Sequence, residues 1–359
     1  MDTARQRFRE VRHEVLDQAG HYLSQRGTPV NFVESIKTCI HENLLGTRMH
    51  RGLTVIYCGN IRANGSPTDK QLTDLCRLAW LPEIFQAAYT IWDDIIDNST
   101  TRRGQVCWFR RPGVGLSAIN DACIIRSMMF GLLQSYFSTH PRYIHLVELL
   151  QECSLRTELG QFTDAFSAGK RVGDPEYGLQ EVYEYMVLHK STYYSGYFPI
   201  MLAYEYMGLA TAANRAQLID ILEPLGMYFQ IQNDVLDVYG PEIHTGKQGS
   251  DVAENKCTWL ITRAMELGND KQRTVLIENY GATESRKAEA VLTLYEQLNL
   301  ESVYRQYEES ENRRLYTLID GIDESLGVRR EVIRGLYNGF KREREYNGLV
   351  NAPELEYVF

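Results

Sequence analysis

The sequence lacks most of the features that mark membrane, secreted or nucleic-acid-binding proteins. No uninterrupted apolar run approaches the roughly 20 residues of a transmembrane helix, and the N-terminus mixes arginine with acids where a signal peptide is apolar. The seven cysteines are scattered without a CxxC pair, so neither a disulfide framework nor a zinc cluster is expected. Acidic residues outnumber basic ones by 47 to 38, and the net charge of −9 argues against sequence-independent binding of nucleic acid. We therefore expect a cytoplasmic protein with no membrane span.

The sequence is rich in helical periodicity. Apolar residues recur three and four positions apart over long segments, and strand-like alternation is scarce. No repeat or low-complexity linker divides the 359 residues, so we predict one all-α domain, a bundle of about ten helices over residues 1–359. Pro82 lies inside one segment and should kink or restart its helix. The clearest segments are 8–22, 72–96, 118–139, 143–165, 179–207, 212–239 and 330–340.

The strongest motif is the acidic stretch IWDDIIDNSTTRRGQ. Asp93 and Asp97 are four positions apart, and Asp94 and Asp97 are three apart, so the three carboxylates share one helix face. Their mutual repulsion is offset by hard divalent cations, since Mg²⁺ binds carboxylate oxygens and keeps sites for substrate phosphates. Alone, such a motif is more often a solvated helix end than a metal site.

A second acidic set occurs 140 residues later, in YFQIQNDVLDVYG. Asn233, Asp234 and Asp237 repeat the spacing of the first set, again after an apolar helical run. Two such sets on two apolar helices are unlikely to arise by chance. If they face each other across a cavity, they can hold a small metal cluster.

Basic residues accompany both acidic sets. Each alone reads as a surface charge, but beside two metal clamps they suit a polyphosphate substrate, which both guanidinium forks and ammonium groups bind. These residues are Arg48, Arg51, Arg102, Arg103, Lys190, Lys247 and Lys256.

With these motifs in order, the chain resembles the trans-isoprenyl diphosphate synthases, in particular the eukaryotic farnesyl diphosphate synthases. The resemblance runs from about Gly46 to Arg344 and includes DDIIDNSTTRRGQVCWFRRPGVGLSAIND, ELGQFTD, LHKSTYYSGYFP, FQIQNDVLDVYG and TGKQGSDVAENKCTW. It implies an all-α fold around a deep central cavity, a homodimer, and about three Mg²⁺ per site. It also implies the condensation of isopentenyl diphosphate with an allylic diphosphate. We expect the departed diphosphate to accept the released proton, because no His or Glu is evidently placed for it.

The resemblance also implies roles for individual residues. Metal ligation falls to Asp93, Asp94, Asp97, Asn233, Asp234 and Asp237, with Gln161 and Asp164 completing the first site. The allylic diphosphate is held by Arg102, Lys190 and Lys247, with Lys256 a further substrate-binding residue. Isopentenyl diphosphate is held by Arg48, Arg51, Gln86 and Arg103 and by the tail residues Lys341, Arg342 and Arg344. Ser191 and Gln230, with the Lys190 carbonyl, lie where the developing carbocation is stabilised.

The sequence departs from the farnesyl synthases at the floor of the allylic pocket. Ala88 and Tyr89 replace two phenylalanines, and Ala88 alone favours a longer product. Trp92 replaces a small residue one helical turn, about 5.4 Å, nearer the metals. We expect its indole to raise the floor by one isoprene unit, which makes geranyl diphosphate the main product. If the indole turns into the bundle instead, the product is farnesyl or geranylgeranyl diphosphate.

Further departures leave other readings open. Asn233 replaces the first aspartate of the second motif, and a neutral amide binds Mg²⁺ more weakly than a carboxylate, so either Asp234 takes over or the third metal binds less tightly. Terpene cyclases use an Asn or Asp at a comparable position, so a terpene synthase is the alternative, although the retained isopentenyl-site residues disfavour it. A non-catalytic subunit is a third reading, disfavoured by the intact acidic motif. Residues 345–359 extend past the usual basic end of the family, with no role predicted.

Overall fold

The computed structural model describes residues 2–47, 49–60, 67–174, 179–240 and 249–340, and confirms the all-α prediction. A π-helical segment, Val187–Tyr197, joins α7 to α8, and strands β1 (Thr101–Arg102) and β2 (Gln105–Val106) form a short antiparallel hairpin. The α-helices are α1 Asp2–Ser24, α2 Val30–Leu44, α3 His50–Asn60, α4 Asp69–Ile96, α5 Ala118–Phe137, α6 Tyr143–Ala168, α7 Leu179–Met186, α8 Phe198–Met207, α9 Ala212–Tyr239, α10 Trp259–Leu267, α11 Asp270–Asn279, α12 Ser285–Gln297, α13 Leu300–Asp320 and α14 Arg330–Phe340.

The ends of the two site-bearing helices follow from their capping residues. Thr68 accepts a hydrogen bond from the backbone N–H of Gln71, whose side chain returns to Thr68, so α4 begins with a capping box. Thr211 caps α9 by accepting from the Asn214 N–H. Helix α4 continues through Pro82, so the predicted restart of the helix does not occur. Packing on the buried α4 outweighs the hydrogen bond that proline removes.

The apolar residues gather into two clusters that share α9 and α13. The larger cluster packs α1 to α6, α8, α9, α13 and α14 around the largely buried α4, and the smaller one packs α7, α9 and α10 to α13 around Trp259. The segment predicted as one helix over 179–207 is divided by the π-helical turn, and α10 to α13 were not among the segments predicted from periodicity. Helices α11 and α13 carry many charged residues, so the apolar stripe that would reveal each of them in the sequence is narrow.

One stretch of the described chain, Gly115–Phe137, is long and apolar enough to cross a membrane by length and composition alone. In its apolar 18-residue window, 44% is buried inside the fold. By itself it is weak evidence for a membrane span.

Candidate active site

Three carboxylates from two helices meet at the end of α4. Asp93 lies on its last turn, Asp97 caps its C-terminus, and Asp164 is supplied by α6. One oxygen from each lies within 4.8 Å of the other two. The amide of Gln161 donates to Asp93 Oδ1 over 3.2 Å. Hard carboxylate oxygens in this number and spacing suit a divalent ion such as Mg²⁺. Asp94, also predicted as a ligand, is not part of this group of three: it is buried and accepts a hydrogen bond from Arg102.

Three basic side chains form ion pairs with these carboxylates. Lys190 Nζ lies 3.1 Å from Asp93 Oδ1 and 2.5 Å from Asp164 Oδ2. Lys256 Nζ lies 2.7 Å from Asp97 Oδ1 and 3.1 Å from Asp164 Oδ2. Although burial opposes ionisation of Asp164, the two lysines hold its pKa below the ordinary value. The protein therefore carries its own counterions inside the carboxylate cluster.

Arg102 completes this cationic set from the β1 strand. Its Nε donates to Asp94 Oδ1 and its Nη2 to Asp93 Oδ2, each over 2.8 Å. Although burial opposes its charge, the two aspartates raise the pKa of Arg102 above the ordinary value. Lys190, Lys256 and Arg102 therefore stay charged in this environment and can pair with an anion that reaches the carboxylates.

The π-helical segment presents Lys190 because its neighbours come unusually close. A Cβ on Gly160 of α6 would lie 2.2 Å from the Lys190 backbone N, and one on Gly226 of α9 would lie 2.1 Å from Thr192 Oγ1. Only glycine permits these approaches. The widened turn thereby lies between α6 and α9 and aims Lys190 at the Asp93 and Asp164 carboxylates, in line with the frequent use of π-turns at functional sites.

A hydrogen-bonded chain connects the π-helical segment to the second acidic motif. Ser191 Oγ donates to Gln230 Oε1 over 2.9 Å, and Gln230 Nε2 donates to Asp234 Oδ1 over 2.9 Å. Asp234 also accepts the Tyr183 hydroxyl at 2.7 Å and the Trp259 backbone N–H at 2.9 Å. The structure thus brings Ser191 and Gln230, both predicted to stabilise the carbocation, into direct contact.

The other members of the second motif lie near the surface of the site. Asp237 accepts from the backbone N–H groups of Ser250 and Asp251, over 3.4 Å and 3.1 Å. Asn233 is half-buried one turn earlier on α9. The second motif therefore presents one amide and one loop-bound carboxylate, with Asp234 turned into the protein.

Arg51, predicted for isopentenyl diphosphate, lies at the start of α3 and is almost fully buried. Its Nη2 donates to Tyr194 Oη and Ser195 Oγ, each over 2.8 Å, and its guanidinium lies 4.4 Å from the Tyr194 ring centroid. The Gly52 N–H donates to Glu83 Oε1 over 2.8 Å, and Glu83 is only 1% exposed. A buried carboxylate from α4 therefore fixes the start of the helix that carries Arg51.

Arg103, also predicted for isopentenyl diphosphate, lies close enough to Arg51 to feel its charge. Arg103 donates to the Asn43 carbonyl over 3.1 Å, and a Cβ on Gly46 would lie 3.3 Å from the Arg103 Cβ, so the loop after α2 packs against it. Burial, and then the neighbouring Arg102 and Arg51 charges, lower the pKa of Arg103, which favours an anion beside it. Gln86 is half-buried on α4, two turns before Asp93. Arg48, Lys247, Lys341, Arg342 and Arg344 lie outside the described residues, as does the extension at 345–359.

The three predicted chain-length residues point in different directions from α4. Ala88 is completely buried. Tyr89 reaches α6, where its hydroxyl donates to Glu158 Oε1 over 2.9 Å, and its ring stacks on Phe85 of α4. Trp92 donates its indole N–H to the Ile119 carbonyl at the start of α5, over 3.4 Å, with its ring edge-on to Tyr89. The indole is thus held against α5, whereas Tyr89 spans toward the helix that carries Asp164.

Several residues of the site were not among the predicted site residues. Tyr183, Tyr194, Ser195 and Glu83 support predicted residues from 31 to 144 positions away. The signal available for Glu83 was its position as an acid within an otherwise apolar run of α4, ten residues before Asp93. A buried carboxylate needs hydrogen-bond donors, which predicts a supporting role.

Comparison with known proteins places this geometry in context. The polyprenyl synthetase family model matches residues 33–298. Farnesyl pyrophosphate synthase of Schizosaccharomyces pombe is 38% identical over 330 residues, 91% of this chain and 94% of that protein. Its counterpart in Gallus gallus is 37% identical over 316 residues, 87% of this chain and 85% of that protein. Among solved structures, T. brucei farnesyl diphosphate synthase complexed with homorisedronate aligns with a TM-score of 0.86 at 28% identity, covering 94% of this chain and all of that one.

Proposed function

Since the chain belongs to the polyprenyl synthetase family, we propose that it is a short-chain trans-prenyltransferase that joins isopentenyl diphosphate to an allylic diphosphate. The observation that carries this proposal is the meeting of Asp93, Asp97 and Asp164 with Lys190, Lys256 and Arg102 in one place. Carboxylates that bind a metal and cations that bind phosphate are both needed to bind a metal diphosphate.

Asp93, Asp97 and Asp164 would hold the Mg²⁺ ions. Bound there, the ions would withdraw electron density from the allylic diphosphate, which favours ionisation of the allylic C–O bond. Lys190 is paired with two of these carboxylates. Once metal neutralises them, its ammonium group is placed to pair with the diphosphate oxygens instead.

The pocket around Ser191 supplies oxygen atoms for the positive charge that ionisation leaves on the allylic carbon. Because the Ser191 hydroxyl donates its hydrogen to Gln230, the lone pairs of Ser191 Oγ remain for the cation. The ring of Phe85 stacks on those of Tyr89 and Tyr194. These rings would exclude water from the hydrocarbon chain of the allylic substrate. This arrangement protects the cation until the isopentenyl double bond attacks it.

Isopentenyl diphosphate is assigned to the guanidinium pair of Arg51 and Arg103. Arg103 makes no ion pair within the described chain, and like charge from Arg102 and Arg51 acts on it, so a diphosphate there relieves repulsion. Gln86 lies on the same face of α4 as Asp93, two turns earlier. The two substrates therefore approach from neighbouring sides of the end of α4.

For the product we propose farnesyl diphosphate. The named relatives are farnesyl pyrophosphate synthases, and they give no support to geranyl diphosphate. The expectation of geranyl diphosphate depends on an indole in the path of the tail, but the Trp92 N–H bonds to α5. Tyr89, which crosses toward α6, is the better candidate for the floor of the pocket.

The proposed assembly is a homodimer that pairs through α6. Leu155, Leu159, Phe162 and Phe166 are exposed along one face of that helix at helical spacing, with Phe162 67% exposed. Exposed apolar side chains in a continuous stripe mark association surfaces. The opposite face of the same helix carries Asp164, so pairing there would stiffen the wall of the active site.

The test compares diphosphate release from each substrate alone and from the two together, with Mg²⁺. A condensing enzyme needs isopentenyl diphosphate and dimethylallyl diphosphate at once. Lys190→Met should lower the rate by about 100-fold, while Lys271→Met, at an exposed position of α11, should leave it unchanged. Release from a prenyl diphosphate alone at the full rate would favour the terpene synthase alternative. No release under any condition would favour the non-catalytic subunit.

A further inference from the structure

Asp234 is engaged on every side. It is 4% exposed, and its two oxygens accept hydrogen bonds from Tyr183, Trp259 and Gln230 at 2.7 to 2.9 Å. These bonds tie α9 to α7 and to the first residue of α10. A metal ion could reach Asp234 only by breaking this network and unpairing several buried donors, each of which would then carry a desolvation cost.

Asp237 is engaged in a different way. Its carboxylate accepts the Ser250 and Asp251 N–H groups, and a Cβ on Gly249 would lie 2.0 Å from the Asp237 carbonyl, so the loop is pressed against the end of α9. The same loop leads to Lys256, which reaches Asp97 and Asp164. Asp237 therefore fastens the segment that carries a lysine into the metal-binding cluster.

Asn233 is left as the remaining member of the second motif, and its amide offers one neutral oxygen. The first motif, in contrast, contributes two carboxylates that converge with a third from α6. Mg²⁺ binds charged oxygen ligands far better than a lone amide and otherwise keeps its water shell. Within the described residues, the donors at the second motif do not fit a third resident ion.

We propose that this protein binds two divalent ions per active site, both at Asp93, Asp97 and Asp164, and that its second motif works as an anchor for the Lys256 loop. The inference rests on the proposed function, because the metal site is the one assigned to the diphosphate substrate. Asn233 is the residue responsible for the missing third ion. Replacing it with aspartate should create the site.

The experiment counts bound metal directly. Crystals are grown with Mn²⁺ and inorganic pyrophosphate, and anomalous difference maps at the manganese edge locate each ion; electron paramagnetic resonance of free Mn²⁺ gives the stoichiometry in solution. Wild type should show two ions, and Asn233→Asp should show three, the third beside residue 233. Gln306→Glu, which adds the same charge on an exposed position of α13, should keep two.

A third ion beside Asn233 in the wild type would overturn the proposal. A count of two in Asn233→Asp would overturn the assignment of the deficit to this residue, and a count of three in Gln306→Glu would show that added charge alone explains the gain. These counts use pyrophosphate and need no turnover. A wild type that binds two ions but never condenses the two substrates would therefore contradict the proposed function and leave the metal count standing.

Discussion

Replacing Lys256 with methionine should destabilise the metal-free protein and make it more responsive to Mg²⁺. The lysine joins Asp97 to Asp164 across two helices, and its side chain is 13% exposed. Removing one partner of a buried ion pair costs about 3–5 kcal/mol, because the other charge is left uncompensated. The low end of that range applies here, since Lys190 still contacts Asp164 and repulsion between the two lysines is relieved.

The loss converts to a melting temperature through the size of the chain. At roughly 2.1 cal/mol/K per residue, 359 residues have an unfolding entropy of about 0.75 kcal/mol/K. A loss of about 3 kcal/mol therefore lowers the melting temperature in EDTA by about 4 °C. Mg²⁺ at 100 times its dissociation constant restores about 2.7 kcal/mol, because the ions replace the missing ammonium group among the carboxylates.

Differential scanning calorimetry of wild type, Lys256→Met and Lys271→Met, each with EDTA and with Mg²⁺, measures these shifts. Lys271 is exposed on α11, so its variant should melt like the wild type. The reasoning is refuted if Lys256→Met melts at the wild-type temperature in EDTA. It is also refuted if Mg²⁺ raises both melting temperatures by the same amount, since the lysine would then not compete with the metal.

Three further perturbations address other parts of the site. Burial raises the pKa of Glu83 above its ordinary value. Ionisation of this carboxyl therefore destabilises the fold as the pH rises above the ordinary pKa of a glutamate. Glu83→Gln should have a higher melting temperature than the wild type at pH 7.5 and the same one near pH 4, and a lower melting temperature at pH 7.5 would contradict this direction. Phe162→Glu combined with Phe166→Glu should convert a dimer into a monomer in analytical ultracentrifugation, and a persistent dimer would exclude this face of α6. Trp92→Ala should leave the product length unchanged in chromatography of the dephosphorylated alcohols, because the indole bonds to α5; a longer product would restore Trp92 as the floor.

The sequence predicts local features of this site well and tertiary ones less well. Asp93 and Asp97 share a face because helical spacing is a local property, and their role follows from repulsion without a metal. Asp164 joins them only through the packing of α6 on α4, which family resemblance implied and spacing could not show. Trp92 illustrates the limit, since helical geometry gives its height along α4 but not whether its indole turns toward α5 or α6.

The second motif shows why matched spacing does not ensure matched roles. Asp234 repeats the position of Asp94 within its motif, yet its partners Tyr183 and Trp259 lie 51 and 25 positions away. No local pattern reports those contacts. A carboxylate that binds metal and one that holds a fold together look the same in sequence, and burial with bonded donors is what separates them.

The most direct test of the account supplies the purified protein with Mg²⁺, dimethylallyl diphosphate and ¹³C-labelled isopentenyl diphosphate, then identifies the dephosphorylated alcohols by mass spectrometry. We predict farnesol that carries label from two isopentenyl units, because condensation adds one unit at each of two rounds. Geraniol with one labelled unit would keep the transferase and return the chain-length limit to Trp92. Unlabelled hydrocarbon from a supplied prenyl diphosphate, with no labelled alcohol, would contradict the central claim that this site condenses two substrates.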